Sequence, residues 1–304
     1  MPSQTVLLAG ATGMLGARVA HHLLEGEDAD LKLLVRPEAL HDPSKRAVLD
    51  PLVDRGAQLV EGDVTDPESL DRPTRGVDVV VSALQGGREV IVDGQVALAR
   101  AASANGARRM LPSDYALDLF KAPPGEHLPF DERREADEAI AALGMEHVHV
   151  LSGAFLDMLA MPGAIVQFDD DAGVATLWGS GDERFEATSV DDTARYIARV
   201  ALDPSVPSGK FAVAAQRLSL GDIVSTVERT SGRRYARRSR GTPQDLRTHI
   251  AGQRQAGDEM GATMATYVLY MLTGEASLDD LQNDRYPDIR PTTLEQQPAT
   301  GVGA

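Results

Sequence analysis

The chain has 304 residues, 42% hydrophobic and 25% charged, so it carries enough apolar side chain for a sizeable core and is not a self-repelling disordered polymer. Asp and Glu number 46 against 30 Lys and Arg, a formal charge of −16 that repels nucleic-acid backbones and anionic membrane surfaces, and the absence of cysteine excludes disulfides, thiolate metal sites and cysteine nucleophiles. No apolar run reaches the length of a membrane span and no basic-then-apolar leader opens the sequence, so a cytoplasmic location is expected.

From residue 4 to about residue 151, short apolar runs alternate with amphipathic stretches: TVLLAG, LKLLV, AQLVEGD, VDVVVSA, RRMLPS and EHVHVLS. Runs that are apolar at successive positions are buried on both faces, and helix-length spacers between them predict a parallel sheet covered by helices on each side. One helix starts in the first glycine turn and continues through Val19 to Leu24. A second runs from about Val90 to Ala104, with Val92, Val96, Ala99 and Ala102 near helical spacing, and a third spans about 131–143. After Gly153 the pattern changes, with breaks at Pro162 and Gly163 and an acidic turn at Asp169 to Asp171. VATLWGSGDERFEATS reads as a hairpin turning at Gly179 to Asp182, and VDDTARYIARVAL as a helix with acidic residues in its first turn. KFAVAA at 210–215 fits a late sheet strand, residues from about 216 to 275 read as mostly helical, and the Pro-, Thr- and Gln-rich tail from Pro287 reads as irregular.

The sharpest motif is Gly10-Ala11-Thr12-Gly13-Met14-Leu15-Gly16, between the first strand and its helix. Glycines there permit a tight turn, close approach of backbone N–H groups to a pyrophosphate and close helix-on-strand packing, while the helix N-terminus favours the anion. Arg36 stands 20 residues after Gly16, at the end of the second strand, where an NAD-specific protein more often has a carboxylate. With Lys45 and Arg46 nearby in sequence it suits the 2′-phosphate of NADPH; the alternative is a solvated basic loop, and Glu38 is close enough to compete. Asp63 and Val64 after the third strand, and Ser82, Ala83, Leu84 and Gln85 after the fourth, belong to the same carboxyl-end crevice, although strand ends also carry such residues simply because a turn follows. The expected architecture is therefore α/β. A Rossmann-type doubly wound parallel sheet occupies 1–153 and a smaller, mostly helical substrate region 154–304, of which about 185–215 returns to the Rossmann body.

Taken together, GATGMLG at 10–16, VRPE at 35–38, VDVVVSALQGG at 77–87, MLPSDYALD at 110–118, SGAF at 152–155 and RYPDIRPTT at 285–293 resemble the isoflavone reductase and NmrA-like group of atypical short-chain dehydrogenases/reductases, over most of the chain. The resemblance implies NADP(H) contacts at Gly10, Gly13, Gly16, Arg36 and Lys45, and a substrate pocket between the Rossmann body and the C-terminal part. Reductases of this group use a lysine in the helix after the PSD/PSE segment, and here Arg133 falls at that position. Arginine does not give up a proton near neutral pH but can stabilise a developing oxyanion. Its alternative role is an i,i+4 pair with Asp137, alongside Arg134 with Glu138, on a solvated face. The Tyr-x-x-x-Lys arrangement of other short-chain reductases is absent, since Lys121 follows Tyr115 by six positions, and this weakens a sugar-nucleotide epimerase. Tyr115 and Ser113 remain candidates to polarise or protonate an acceptor, against roles as a packed ring and a turn cap.

Phe155, Met158, Leu159 and Met161, with Met260, Met264, Tyr267, Val268 and Met271 at helical spacing, can line an apolar substrate pocket or simply fill a core. The histidines show no zinc-ligand spacing and no metal is expected. The reading that results is an NADPH-dependent oxidoreductase reducing a small apolar or aromatic carbonyl or ene substrate by hydride transfer. An NADP(H)-sensing regulator without turnover is the alternative. Monomer and homodimer are both compatible with the sequence.

Overall fold

The computed structural model describes residues 3–26, 28–159 and 165–297. In the first half of the chain, strands and helices alternate: β1 (Gln4–Ala9), α1 (Met14–Leu23), β2 (Ala29–Val35), α2 (Pro43–Asp54), β3 (Gln58–Glu61), α3 (Asp71–Thr74), β4 (Val79–Ser82), α4 (Gln95–Ala104), β5 (Arg109–Leu111), α5 (Leu128–Ala141) and β6 (Glu146–Leu151). The second half contains β7 (Ala154–Phe155), α6 (Leu156–Leu159), β8 (Gln167–Asp169), β9 (Val174–Leu177), β10 (Arg184–Thr188), α7 (Val190–Leu202), β11 (Gly209–Ala212), β12 (Gln216–Ser219), α8 (Leu220–Ser231), β13 (Ala236–Ser239), α9 (Pro243–Gln255) and α10 (Glu259–Thr273). The chain forms two compact units, one of residues 1–115, 131–150 and 190–211, the other of 116–130, 151–189 and 212–304.

The first unit is built on a seven-stranded sheet in the order β11-β6-β5-β4-β1-β2-β3. The pairings β2–β3, β1–β2, β1–β4, β4–β5 and β5–β6 are parallel, so the order reverses between β1 and β4 and opens a crevice beyond their carboxyl ends. Val6, Leu7, Leu8, Leu33, Val79, Val80 and Val81 are buried, as apolar runs covered on both faces require. The helix expected over about 90–104 begins as a π-helical turn, Glu89–Gly94, before α4; the third expected helix, α5, starts at Leu128. α7 packs on α1, where the His22 ring lies between two carboxylates at 3.0 Å, Glu25 beside Nδ1 and Asp191 beside Nε2.

One buried cation ties the late part of this unit to the sheet. Arg109 of β5 is 1% exposed; its Nε donates to Glu146 (2.8 Å), Nη1 to the carbonyls of Asp203 (2.6 Å) and Val200 (3.2 Å), and Nη2 to those of Val206 (2.9 Å) and Pro204 (3.4 Å). The guanidinium fork suits this role because it presents five donors in fixed directions. It satisfies the carbonyls at the end of α7 and in the turn that follows, which no sheet partner supplies.

The second unit holds two three-stranded sheets, β12-β10-β7 and β13-β9-β8, with α8, α9 and α10. Its core includes Leu177, Phe185, Leu218, Leu220, Ile223 and Leu269. α8 and α9 begin with reciprocal capping boxes, Ser219 with Asp222 and Thr242 with Asp245. The hairpin expected over 174–189 does not form: β9 pairs with β8 and β13, whereas β10 pairs with β12 and β7. The segment from 216 to 275 also contains the strands β12 and β13 besides its three helices, and the described part of the tail contains a short 3-10 turn, Leu294–Gln296. The Pro162 and Gly163 breaks lie outside the described residues. Among the described residues no helix is long and apolar enough to cross a membrane.

Replacing Arg109 by methionine keeps much of the aliphatic volume but leaves several buried carbonyls without a donor. The expected cost is about 3–5 kcal/mol of folding stability, read as a loss in urea midpoint at unchanged slope.

Candidate functional site

The glycine turn after β1 is closed by steric necessity. Gly10 sits at φ +90°, and a Cβ there would lie 2.4 Å from the Ala83 carbonyl oxygen; a Cβ on Gly16 would lie 2.2 Å from the Gly10 carbonyl oxygen. Gly13 caps α1 with extended backbone, its N–H donating to Gly10 O (3.0 Å), and no side chain caps the helix, nor does its first turn carry an acidic residue. Thr12 and Leu15 are half-buried beside this opening and Met14 is exposed. The next helix differs: the Asp42 carboxylate caps α2, accepting from Ser44 N (2.8 Å) and Lys45 N (3.4 Å), and the Ser44 hydroxyl foremost holds its carboxyl below the usual range. α1 therefore has the N-terminus that an anion can take, and α2 has its own carboxylate in place.

Arg36 follows β2, exposed, and makes no ion pair among the described residues; Lys45 lies half-buried in the first turn of α2. Arg46 pairs with Asp50 within α2. Asp63 shapes its own turn, accepting from Thr65 N and Thr65 Oγ1 at 2.9 Å each, and Val64 is buried against Gly94.

The exits of β4 and β5 are laced together. Tyr115 donates its hydroxyl to Ser82 O (2.9 Å), Ser113 donates its own to Leu84 O (2.8 Å), and Ser113 N donates to the buried Gln95 Oε1 (2.9 Å). Burial first, and the charge of Asp114 second, push the Tyr115 phenol well above its ordinary value. Arg133 on α5 is half-buried and its Nε donates to Ser113 O (2.8 Å). The structure thus brings Ser82, Leu84, Ser113, Tyr115 and Arg133 together, while Ala83 abuts the glycine turn and Gln85 is exposed. The solvated face expected beside Arg133 is not what surrounds it: Asp137 is buried, and Arg134 pairs with Asp131.

The apolar residues proposed for substrate all belong to the second unit. Phe155 and Tyr267 are half-buried, Met158 and Met264 exposed, and Leu159 and Val268 buried in its core. Met271, at 2% exposure, packs in the same core. Met161 lies outside the described residues.

Sequence spacing gave no sign of one grouping. Asp114, just past β5, Asp137 on α5 and His149 in β6 are all buried, with His149 Nδ1 2.8 Å from Asp114 Oδ2 and 3.7 Å from Asp137 Oδ2. Burial foremost, then the charge of Asp114, against the opposing pull of Arg133, pushes the Asp137 carboxyl up to about 10. The three are separated by 23 and 12 positions on three different elements, so no local motif announces them.

Comparison with known proteins places these features in context. The profile of the NmrA-like family matches residues 2–296. A bifunctional pinoresinol-lariciresinol reductase of Linum album is 29% identical over 308 residues, covering 96% of this chain and 92% of that protein; pinoresinol reductase 2 of Arabidopsis thaliana is 32% identical over 210 residues, covering 66% and 65%. Among solved structures, AtPrR2 with NADP+ and (+)pinoresinol superposes with a TM-score of 0.84 at 24% identity, covering 97% of both chains. An isoflavone reductase superposes at 0.82 with 20% identity, covering 97% of this chain and 98% of that one.

Tyr115→Phe removes the donor to Ser82 O from a buried position and nothing else. The expected loss is about 1–2 kcal/mol, measured as a lower denaturant midpoint, because an orphaned buried carbonyl retains its desolvation cost.

Proposed function

The chain belongs to the NmrA-like family, and from that premise we propose that it is an NADPH-dependent reductase of a small apolar or aromatic carbonyl or ene substrate. The observation that carries this reading is the uncapped N-terminus of α1 behind a turn too tight for any side chain at Gly10 or Gly16. Backbone N–H groups and helix dipole there suit a pyrophosphate, and Arg36, exposed and without an ion pair among the described residues, suits a 2′-phosphate, with Lys45 as second cation. Asp63 and Val64, and the run Ser82 to Gln85, are the crevice residues for the adenosine and ribose side.

When bound, the nicotinamide supplies the hydride. Arg133 stays charged near neutral pH, so its part is to hold negative charge on the acceptor oxygen, and water supplies the proton. Ser113 and Tyr115, whose hydroxyls already donate to backbone carbonyls, fix the wall on which Arg133 rests. Phe155, Met158, Met264 and Tyr267 are the proposed substrate contacts; their partial or full exposure supports this, and the burial of Met271 leaves it in the core. The relatives named above are by name reductases of pinoresinol and lariciresinol, small organic molecules, which supports a small-molecule substrate of this kind.

A second reading, an NADP(H)-binding regulator without turnover, is favoured by those same committed hydroxyls and by arginine at position 133.

Fluorescence titration tests the cofactor end. Arg36→Ala is expected to weaken NADPH by about 10- to 100-fold and leave NADH little changed; equal losses for both, or none, would remove Arg36 from the phosphate site. Turnover separates the two readings. Against a panel of aromatic carbonyl and enone compounds, NADPH oxidation should fall at least about tenfold in Arg133→Ala while NADPH affinity is kept. Rates that do not depend on Arg133 would exclude it from the chemistry, and no oxidation across the panel despite tight NADPH binding would favour the regulator.

A further inference from the structure

The buried trio of Asp114, Asp137 and His149 makes no contact with substrate or cofactor in the reaction proposed above, yet it buries two carboxyls and an imidazole side by side. Their exposures are 0%, 4% and 6%. One ligating atom from each lies within 4.8 Å of the other two. Both carboxylate oxygens of Asp137 and Oδ1 of Asp114 are buried with no donor from the rest of the chain, only the neighbouring carboxyl with which a proton can be shared. Leaving a buried acceptor unpaired costs about 1–3 kcal/mol, more for a charged group, so three such oxygens on two neighbouring buried carboxyls call for a positive occupant. Three charged groups face Asp137 from the elements around it: Asp114 from the β5 exit, His149 from β6, and Arg133 one turn earlier on α5, whose Nε already serves the Ser113 carbonyl. Glu138, its neighbour on α5, only adds negative charge.

We propose that Asp114, Asp137 and His149 bind a divalent transition cation of the zinc type, pinning the β5 exit, α5 and β6 together. Two carboxylates and a neutral imidazole balance a charge of +2. One nitrogen and two or more oxygens suit zinc better than calcium or magnesium, which take six or more oxygens, and copper(I) prefers sulfur ligands. Zinc bonds of about 2.0–2.2 Å put neighbouring ligand atoms roughly 3–3.7 Å apart. The observed separations of 2.8 and 3.7 Å from Nδ1 therefore need only small adjustment. On binding, the proton held by Asp137 leaves, and the imidazole proton moves to Nε2 so that Nδ1 can ligate; one proton is released per cation. A water completes the sphere. The role is structural, because the ion would be shut away from any substrate, and it stands independently of the reductase reading.

The test uses the full chain, stripped with chelator and dialysed. Calorimetric titration with Zn²⁺ in two buffers of different ionisation heat should give one strong site per chain with about one proton released, and a raised Tm. Co²⁺ in the same site should give the visible bands of four- or five-coordination. Asp137→Asn and His149→Gln should each lower affinity by at least about 100-fold while melting cooperatively in chelator. The exposed His21 beside His22 and Glu25 is the competing zinc surface, and His22→Ala should leave the strong site intact. Absence of saturable Zn²⁺ binding in the unaltered chain, or binding undiminished in both variants or lost in His22→Ala, overturns the proposal and leaves a carboxyl pair held together by a shared proton.

Discussion

The close approach of three backbone segments at Gly10 sets the terms for the first unit. With Gly10 pressed on Ala83 and Gly16 pressed on Gly10, the β1 turn, the start of α1 and the exit of β4 stand at contact distances that only hydrogen atoms can fill. That contact sets the N-terminus of α1, the positive end of its dipole, at the crevice between β1 and β4, where the strand order reverses. It also sets where Ser82 and Leu84 present the carbonyls that receive Tyr115 and Ser113. A methyl group at either glycine would therefore do more than strain one turn: it would part α1 from β4 and shift the acceptors that the β5 exit depends on.

The second unit repeats the device once. Gly153, at φ +70°, approaches Glu186 so closely that a Cβ would lie 2.3 Å from its carbonyl oxygen, just before β7 pairs with β10. Glu186 in turn is buried and held by Arg217 across the β10–β12 pair and by the backbone N–H of Leu278. Here too, a glycine lets one strand end rest on another chain segment, and a charged side chain then fixes the position.

How much of this is legible in the sequence depends on whether the signal is local. β1 to β6 were readable because parallel strands covered on both faces are continuous apolar runs, and the glycine turn because it stands between strand and helix, where a dinucleotide fingerprint lies. The supposed hairpin failed because period and turn residues announce strands but not partners, and the residues between Leu177 and Arg184 carry the chain from one sheet to another. β13 was missed because its residues, Ala236 to Ser239, are all exposed and two are arginine, so no apolar alternation marks a strand; those arginines also blunt a sheet edge. The methionine stripe is split by burial. Met260, Met264 and Met271 recur at near-helical spacing, but the exposed side of α10 at Met260 and Met264, opposite the buried Ala262 and Thr266, gives way to burial at Met271. The acid–histidine trio was invisible because its members sit on three elements, and His149 alternates with the half-buried His147 as any strand pair does.

The three residues 113–115 show why the reacting end of the crevice and the buried trio are mechanically one. Ser113 and Tyr115 turn their hydroxyls to the β4 exit, while Asp114 between them turns to His149 and Asp137. α5 meets this tripeptide twice, through Arg133 on the Ser113 carbonyl and, one turn later, through Asp137 beside Asp114. Two polar contacts a helical turn apart fix both the height of α5 and its rotation about its own axis, which apolar packing alone leaves loosely specified. The position of the Arg133 guanidinium is then set by whatever occupies the trio, a proton or a cation, because both ends of the constraint share the peptide between Ser113 and Asp114. A charge that remains at one place costs little reorganisation when negative charge develops beside it, and in that way a group with no surface of its own can influence how well the crevice stabilises an oxyanion.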